Sequence, residues 1–178
     1  MIIIMFSVVS RLFETEQIVP LEAGKTVFRT GDRVLSMYLV FEGGVDLVRY
    51  TASGTSLILN RVSPGNVLAE ASAYSSQYHC DGLASTKTQL KSLPVSQFLE
   101  RLHSSADIAR SWAAHLAREL QNARMQSEIR SLKTVAERLD AWLGLRNKLP
   151  PRGEIQDLAR VLGVSREALY RELARRRK

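Results

Sequence analysis

Four side chains near the end of the chain, Arg166, Glu167, Tyr170 and Arg171, have the types and spacing to read a nucleic acid. On a helix, steps of one, three and four residues gather them on one face. Arginine can donate two hydrogen bonds to guanine O6 and N7, and glutamate can accept one from cytosine N4. The bland alternative is a surface pair between Glu167 and Arg171 at i,i+4, worth about 0.3 kcal/mol. A second group with chemistry to offer is Tyr78-His79-Cys80-Asp81, with Glu70 upstream. His79 and Cys80 are residue types that ligate metals or sense redox state. They are equally residue types that fill or border a core, and a free cysteine is often simply buried.

The first group needs a helix-turn-helix to present it. Ile155, Leu158, Ala159 and Leu162 form one apolar helical face. Gly163 can take the positive φ that closes a tight inter-helix turn. Val164 plugs the angle between the helices, and Ser165 is placed to cap the second helix through a free backbone N–H. Ala168, Leu169 and Leu173 then face back to the core, which leaves Arg166, Glu167, Tyr170 and Arg171 outward on the first turns. Those turns of a recognition helix reach base edges in the major groove. Ser165, Arg160, Arg175, Arg176, Arg177 and Lys178 are assigned to phosphates, where they add affinity without sequence choice.

Charge agrees with this division. The chain has 178 residues and a formal charge of +7. Residues 1–103 hold 9 basic and 9 acidic side chains, whereas residues 104–178 hold 16 and 9. Residues 158–178 alone carry 7 basic and 2 acidic. A neutral front and a basic back suggest two tasks, the second with a polyanion, although a solvated basic tail has the same count.

Cys80 is the only cysteine, so one chain can form neither an intramolecular disulfide nor a four-cysteine iron–sulfur cluster. His103 and His115 are dispersed without metal-ligand spacing, so no metal site is expected. The same dispersion argues against a metal-dependent enzyme built on a β-barrel, and no catalytic residues are assigned. The apolar start Met1–Val9 lacks a basic n-region and has Arg11 close behind. It reads as neither signal peptide nor membrane span, but as a first strand or a by-product of start-site choice. A cytoplasmic protein is expected.

Residues 12–95 read as short strands punctuated by glycine at roughly ten-residue spacing, which predicts an antiparallel sandwich or barrel. Val45, Leu47 and Arg49 alternate with Asp46, Val48 and Tyr50, as along a half-buried strand. Ser96 is placed to cap a short helix containing Phe98, Leu99 and Leu102. From about Ser104 to Arg130 there is no Gly or Pro, which predicts a helix roughly 40 Å long. Its narrow stripe, Ile108, Trp112, Leu116, Leu120 and Ala123, suits a partner helix in a symmetric dimer. Docking of that stripe on the β domain is the other reading. A further helix is expected near Thr134–Arg146, stopped by Pro150-Pro151.

Taken together, Leu21–Asp32, Tyr38–Gly43, Pro64-Gly65-Asn66 and Leu158–Glu167 with Arg171 resemble the bacterial CRP/FNR family of transcription regulators across nearly the whole chain. The resemblance implies an α+β fold: an antiparallel, jelly-roll-like β-roll sensor domain (1–103), a dimerisation helix (104–131) and a helix-turn-helix domain (132–178). It implies a homodimer on double-stranded DNA, with RNA polymerase as a further partner and no membrane association. Arg166, Glu167 and Arg171 would read bases, often in half-sites resembling TGTGA or TTGAT. Tyr170 stands where many members have a small residue.

Two departures stand out. Cyclic-nucleotide binders of the family carry a Gly-Glu pair and then an arginine followed by a small hydroxyl residue, which clamp ribose and cyclic phosphate. Here the pair is Ala69-Glu70, and the arginine's place falls near Cys80-Asp81. Losing that charge-assisted bond predicts no response to cyclic AMP. The pocket residues would be Glu70, His79, Cys80 and Asp81. No cofactor is assigned, although heme-binding relatives use His and Cys in this region. That leaves open a ligand, heme or redox sensor with a vestigial DNA end. Members also usually continue into a β-hairpin wing, whereas this chain stops at Arg176-Arg177-Lys178, still within helical pattern, so the basic end is read as a partial electrostatic substitute for a wing.

Overall fold

The computed structural model describes residues 8–146, 148–151 and 155–176. Of the apolar start expected as a first strand, residues 1–7 lie outside the described residues. Val8–Phe13 forms a 3-10 helix instead. The chain divides into two compact units, Met1–His115 and Leu116–Lys178.

The first unit is an antiparallel β-roll. Its strands are β1 (Ile18–Leu21), β2 (Thr26–Phe28), β3 (Ser36–Glu42), β4 (Val45–Tyr50), β5 (Ser56–Val62), β6 (Val67–Leu68), β7 (Asp81–Ala84) and β8 (Thr88–Pro94). They form two four-stranded sheets, ordered β1-β8-β3-β6 and β2-β7-β4-β5. Phe13, Met37, Leu39, Val40, Leu68 and Leu90 are fully buried in its core.

The alternation read along residues 45–50 breaks at one point. Leu47 pairs with Asn60 but Val48 pairs with Ile58, so a bulge lies between them. The extra residue is Leu59 of β5; along β4, Leu47 and Val48 are both buried while Arg49 and Tyr50 are exposed. Gly82 has a steric reason: an added Cβ would lie 2.9 Å from the Phe28 ring. That ring stacks on Tyr78 with centroids 3.8 Å apart.

Helix α1 (Val95–His103) starts one residue before the expected cap. Pro94, not Ser96, is the capping residue, and it makes no side-chain cap bond. The Val95 N–H, which a cap would serve near, instead donates to Leu35 O at 2.9 Å. The long helix α2 (Ala106–Ser131) follows. Among the described residues no helix is long and apolar enough to cross a membrane.

The second unit holds the later turns of α2, then α3 (Val135–Arg146), α4 (Ile155–Leu162) and α5 (Arg166–Arg175). A reciprocal capping box starts α3. Thr134 N–H donates to Glu137 Oε2 at 2.8 Å, and Glu137 N–H donates to Thr134 Oγ1 at 3.1 Å. Ile129, Leu139, Ile155, Leu158, Ala159, Leu162, Leu169 and Leu173 make one buried cluster, with Val164 packed against it. All four apolar residues predicted for the α4 face are in it.

Candidate nucleic-acid interface

The inter-helix turn is built for rigidity. Gly163 has φ +64°. Its N–H donates to Arg160 O at 3.0 Å, and Val164 N–H donates to Ala159 O at 3.0 Å, which is a Schellman close. Carbonyls at the end of α4 and in the turn are also met by two arginines. Arg130 donates to Arg160 O and Val161 O at 3.1 and 3.2 Å. Arg138 donates to Leu162 O and Gly163 O at 3.1 and 3.0 Å, and to Leu132 O at 2.9 Å. The positive φ favours glycine at 163, and an added Cβ would sit 3.2 Å from Arg130 Cγ. Charge counting assigned Arg130 and Arg138 to the basic half in general; the open carbonyls of the turn explain where they go.

Ser165 caps α5 as expected, its Oγ accepting from Ala168 N–H at 3.2 Å. Arg166, Glu167, Tyr170 and Arg171 are all exposed, and with Ala174 they line one shallow depression. The Arg166 guanidinium lies 5.5 Å from the Tyr170 ring centroid, a cation–π arrangement. Glu167 is held below the usual carboxylate range, first by its own backbone N–H, then by the Ser165 hydroxyl, with Arg166 and Arg171 adding to the effect. At neutral pH it is therefore an anionic acceptor between two cations.

The residues assigned to phosphate divide. Arg175 is exposed, with its guanidinium on Glu172 at 3.0 Å. Arg160 pairs with Asp157 at 2.7 Å. Arg176 departs from the expectation of a phosphate-facing side chain. It bonds Glu172 at 2.7 Å, pairs with Asp140 at 2.5 Å and donates to Ala136 O at 3.1 Å, so it ties α5 to α3. Arg177 and Lys178 lie outside the described residues.

Sequence reasoning missed Glu172, a buried acid 8% exposed that receives both Arg175 and Arg176. Its i+3 and i+4 spacing to those arginines was the available clue. The Arg175 and Arg176 hydrogen bonds hold the Glu172 carboxyl below its usual range, and Arg176 does the same for Asp140. A depressed folded pKa contributes stability that is complete above the unfolded value, about 4 for either acid. That contribution disappears as pH falls through the folded pKa. The melting temperature of the second unit is therefore expected to drop below about pH 4. In Glu172→Gln it should start lower and show a shallower acid slope; an unchanged slope would remove Glu172 as the source.

In the β-roll, the four pocket candidates lie near one another but are occupied with structural contacts. Asp81 Oδ1 accepts from Thr30 N–H and Thr30 Oγ1 at 2.8 and 2.7 Å. His79 Nδ1 is 3.3 Å from Ser72 Oγ, and His79 O accepts from Arg49 at 3.1 Å. Cys80 is fully buried. Burial pushes its thiol pKa up; the Arg49 charge opposes that, while Asp81 and Glu70 add to it. The thiol form is favoured, the opposite of a reactive cysteine. Glu70 opens a short 3-10 helix, Glu70–Ser72. Among the described residues no three His, Cys, Asp or Glu side chains form a group able to hold a metal ion.

The α2 stripe also divides. Leu120 and Ala123 are exposed, and Ile108 and Leu116 are half-buried. Trp112 is taken up inside the first unit. It is 3% exposed, edge-on to Phe98 at 5.2 Å and stacked on His115 at 5.6 Å. Its large apolar surface is thereby covered without a partner helix.

Residues 18–105 match the cyclic nucleotide-binding domain. The cyclic AMP receptor protein of Thermus thermophilus is 30% identical over 155 residues, which span 84% of this chain and 72% of that protein. The chain belongs to the CRP/FNR family of transcription regulators. The solved catabolite activator protein of Thermus thermophilus is 28% identical with a TM-score of 0.57, covering 93% of this chain and 80% of that one. FixK2 from Bradyrhizobium japonicum shares the fold at TM-score 0.70 and 19% identity, over 90% of this chain and 83% of its own.

Within the CRP/FNR pattern, one backbone detail explains a departure noted above. Ala69 has φ 57° and ψ 41°, the only non-glycine residue with positive φ among the described residues. The resemblance sets it at the glycine of the family's Gly-Glu pair. An alanine holds this left-handed conformation at a cost of about 1 kcal/mol. Where the resemblance sets the clamp arginine, Cys80 is a buried thiol and Asp81 a carboxylate bonded to Thr30.

Proposed function

We propose that this chain is a homodimeric, sequence-specific DNA-binding transcription regulator that does not respond to cyclic AMP. The observation that carries the proposal is the outward face of α5. Arg166, Glu167, Tyr170 and Arg171 are exposed together on a helix whose start is capped and whose preceding turn is braced by two arginines. A rigid mount is what base reading requires, because bidentate contacts tolerate little misplacement. Arg160, Ser165 and Arg175 are the phosphate contacts. The exposed Leu120 and Ala123, with half-buried Leu116, are the seam for a second copy of α2.

The Thermus relative is named for cyclic AMP. Against carrying that ligand over stand the lost arginine and the carboxylates of Glu70 and Asp81, which repel a cyclic phosphate. Heme or redox sensing at His79 and Cys80 gains no support from a buried thiol raised in pKa.

The test is selection of bound duplexes from a random pool, with and without cell extract, alongside light scattering and titration with cyclic AMP. The expected results are an inverted repeat containing guanine in each half, twice the 20.0 kDa chain mass, and no change with cyclic AMP. An unselective pool would overturn base reading. A monomer would overturn the dimer, and a cyclic-AMP-dependent gain in affinity would overturn the last part.

A further inference from the structure

Tyr170 is not explained by the arginine and glutamate chemistry around it. It is a large aromatic residue, 42% exposed, at the centre of a strongly basic face. Burial in the core does not account for it, since its neighbour Leu169 supplies the core contact and is 0% exposed. It instead lines a shallow depression together with Arg166, Glu167, Arg171 and Ala174. The Arg166 guanidinium rests over the ring at 5.5 Å.

Resting on the DNA-reading proposal, we infer that Tyr170 is a base-selecting residue whose ring receives the 5-methyl group of a thymine adjacent to the guanine taken by Arg166. Three features lead to that occupant. The rim charge selects a polyanion, and residues 158–178 carry 7 basic side chains against 2 acidic. The surface of the depression is mainly apolar, and the thymine methyl is the one apolar group on the major-groove edge of the bases. The guanidinium already lies over the ring, so the group that reads the neighbouring base is held beside the group that reads guanine. Stacking also leaves Arg166 fewer rotamers to give up on binding. Glu167 completes the cup as the acceptor for a cytosine N4 amine on the opposite side.

The experiment uses the full chain and the duplex selected as above, in two forms. In one form each thymine next to the Arg166-dependent guanine is replaced by deoxyuridine, which removes only the methyl group. The parent should bind the deoxyuridine duplex about four-fold more weakly per half-site, the equivalent of ~0.8 kcal/mol for one buried methyl. Tyr170→Phe should keep that penalty. Tyr170→Ala should lose it and bind both duplexes alike, with a weakened preference for guanine at the Arg166 position. Tyr170 is exposed, so circular dichroism of Tyr170→Ala should match the parent. A selected guanine without a thymine neighbour, or an equal deoxyuridine penalty in Tyr170→Ala, overturns this inference and leaves the DNA-reading proposal standing. A pool that yields no sequence overturns both.

Discussion

Arg166→Ala is expected to lower affinity for the selected site by about 1–3 kcal/mol per half-site, roughly 5- to 150-fold, while binding to unrelated duplexes stays near the parent value. The size follows from what is removed. A bidentate pair to guanine O6 and N7 discriminates because the wrong base leaves the guanidinium donors without acceptors. The change should be silent for folding, because Arg166 is exposed and its recorded contact is with the exposed Tyr170 ring. The salt dependence separates the two kinds of basic residue. Arg166→Ala should leave the slope of log affinity against log salt almost intact, since the counterions displaced by Arg160 and Arg175 are still displaced. Arg175→Ala should weaken all sequences alike and reduce the slope by about one. Equal loss on all sequences in Arg166→Ala would move Arg166 to the phosphate group and end its base-reading role.

That contrast shows what residue types disclosed and what they left hidden. Ser165, Gly163 and the α4 face were legible because each answers a local requirement: a free N–H, a positive φ, a helical period. The two-sheet roll was legible from glycine spacing for the same reason. The destinations of the arginines were not. A charge count treats Arg130, Arg138, Arg166 and Arg176 as equal members of one basic half. Arg130 and Arg138 cover the carbonyls that end α4, Arg176 bonds Glu172 and Asp140, and only Arg166 of the four lies on the reading face. Apart from the local Arg176–Glu172 pair, these partners lie 24 to 40 residues away, which no local pattern encodes. Trp112 shows a related limit. Periodicity placed it on the α2 stripe correctly, but which body covers that side of the helix depends on α1 and Phe98. The bulge between Leu47 and Val48 belongs to the same class, because it is imposed by pairing with β5 rather than by residues 45–50 themselves.

The largest stability effect is expected from Leu169→Ala. Leu169 is 0% exposed in the cluster that joins α3, α4 and α5, on the buried side of the helix that carries Arg166. Truncating such a leucine costs about 2–5 kcal/mol, from lost transfer energy and the cavity left behind. The unit concerned, Leu116–Lys178, has about 60 residues. At about 0.05–0.15 kcal/mol per residue its whole stability is roughly 3–9 kcal/mol, so one substitution removes a large part of it. The two tryptophans make the outcome readable unit by unit, because Trp112 lies in the first unit and Trp142 in the second. With Trp112→Phe as background, Trp142 fluorescence should report an unfolding midpoint shifted far to lower denaturant by Leu169→Ala. With Trp142→Phe as background, Trp112 should report a midpoint close to that of its parent. Site-specific and unspecific DNA binding should fall together in Leu169→Ala, unlike Arg166→Ala, because the whole mount is lost rather than one contact. Ile155→Val, a one-methylene change in the same cluster, should cost about 0.5–1.5 kcal/mol and leave binding measurable. Equal shifts of both tryptophan midpoints in Leu169→Ala would show that the two units unfold as one, and would remove the premise that the reading head has a stability of its own.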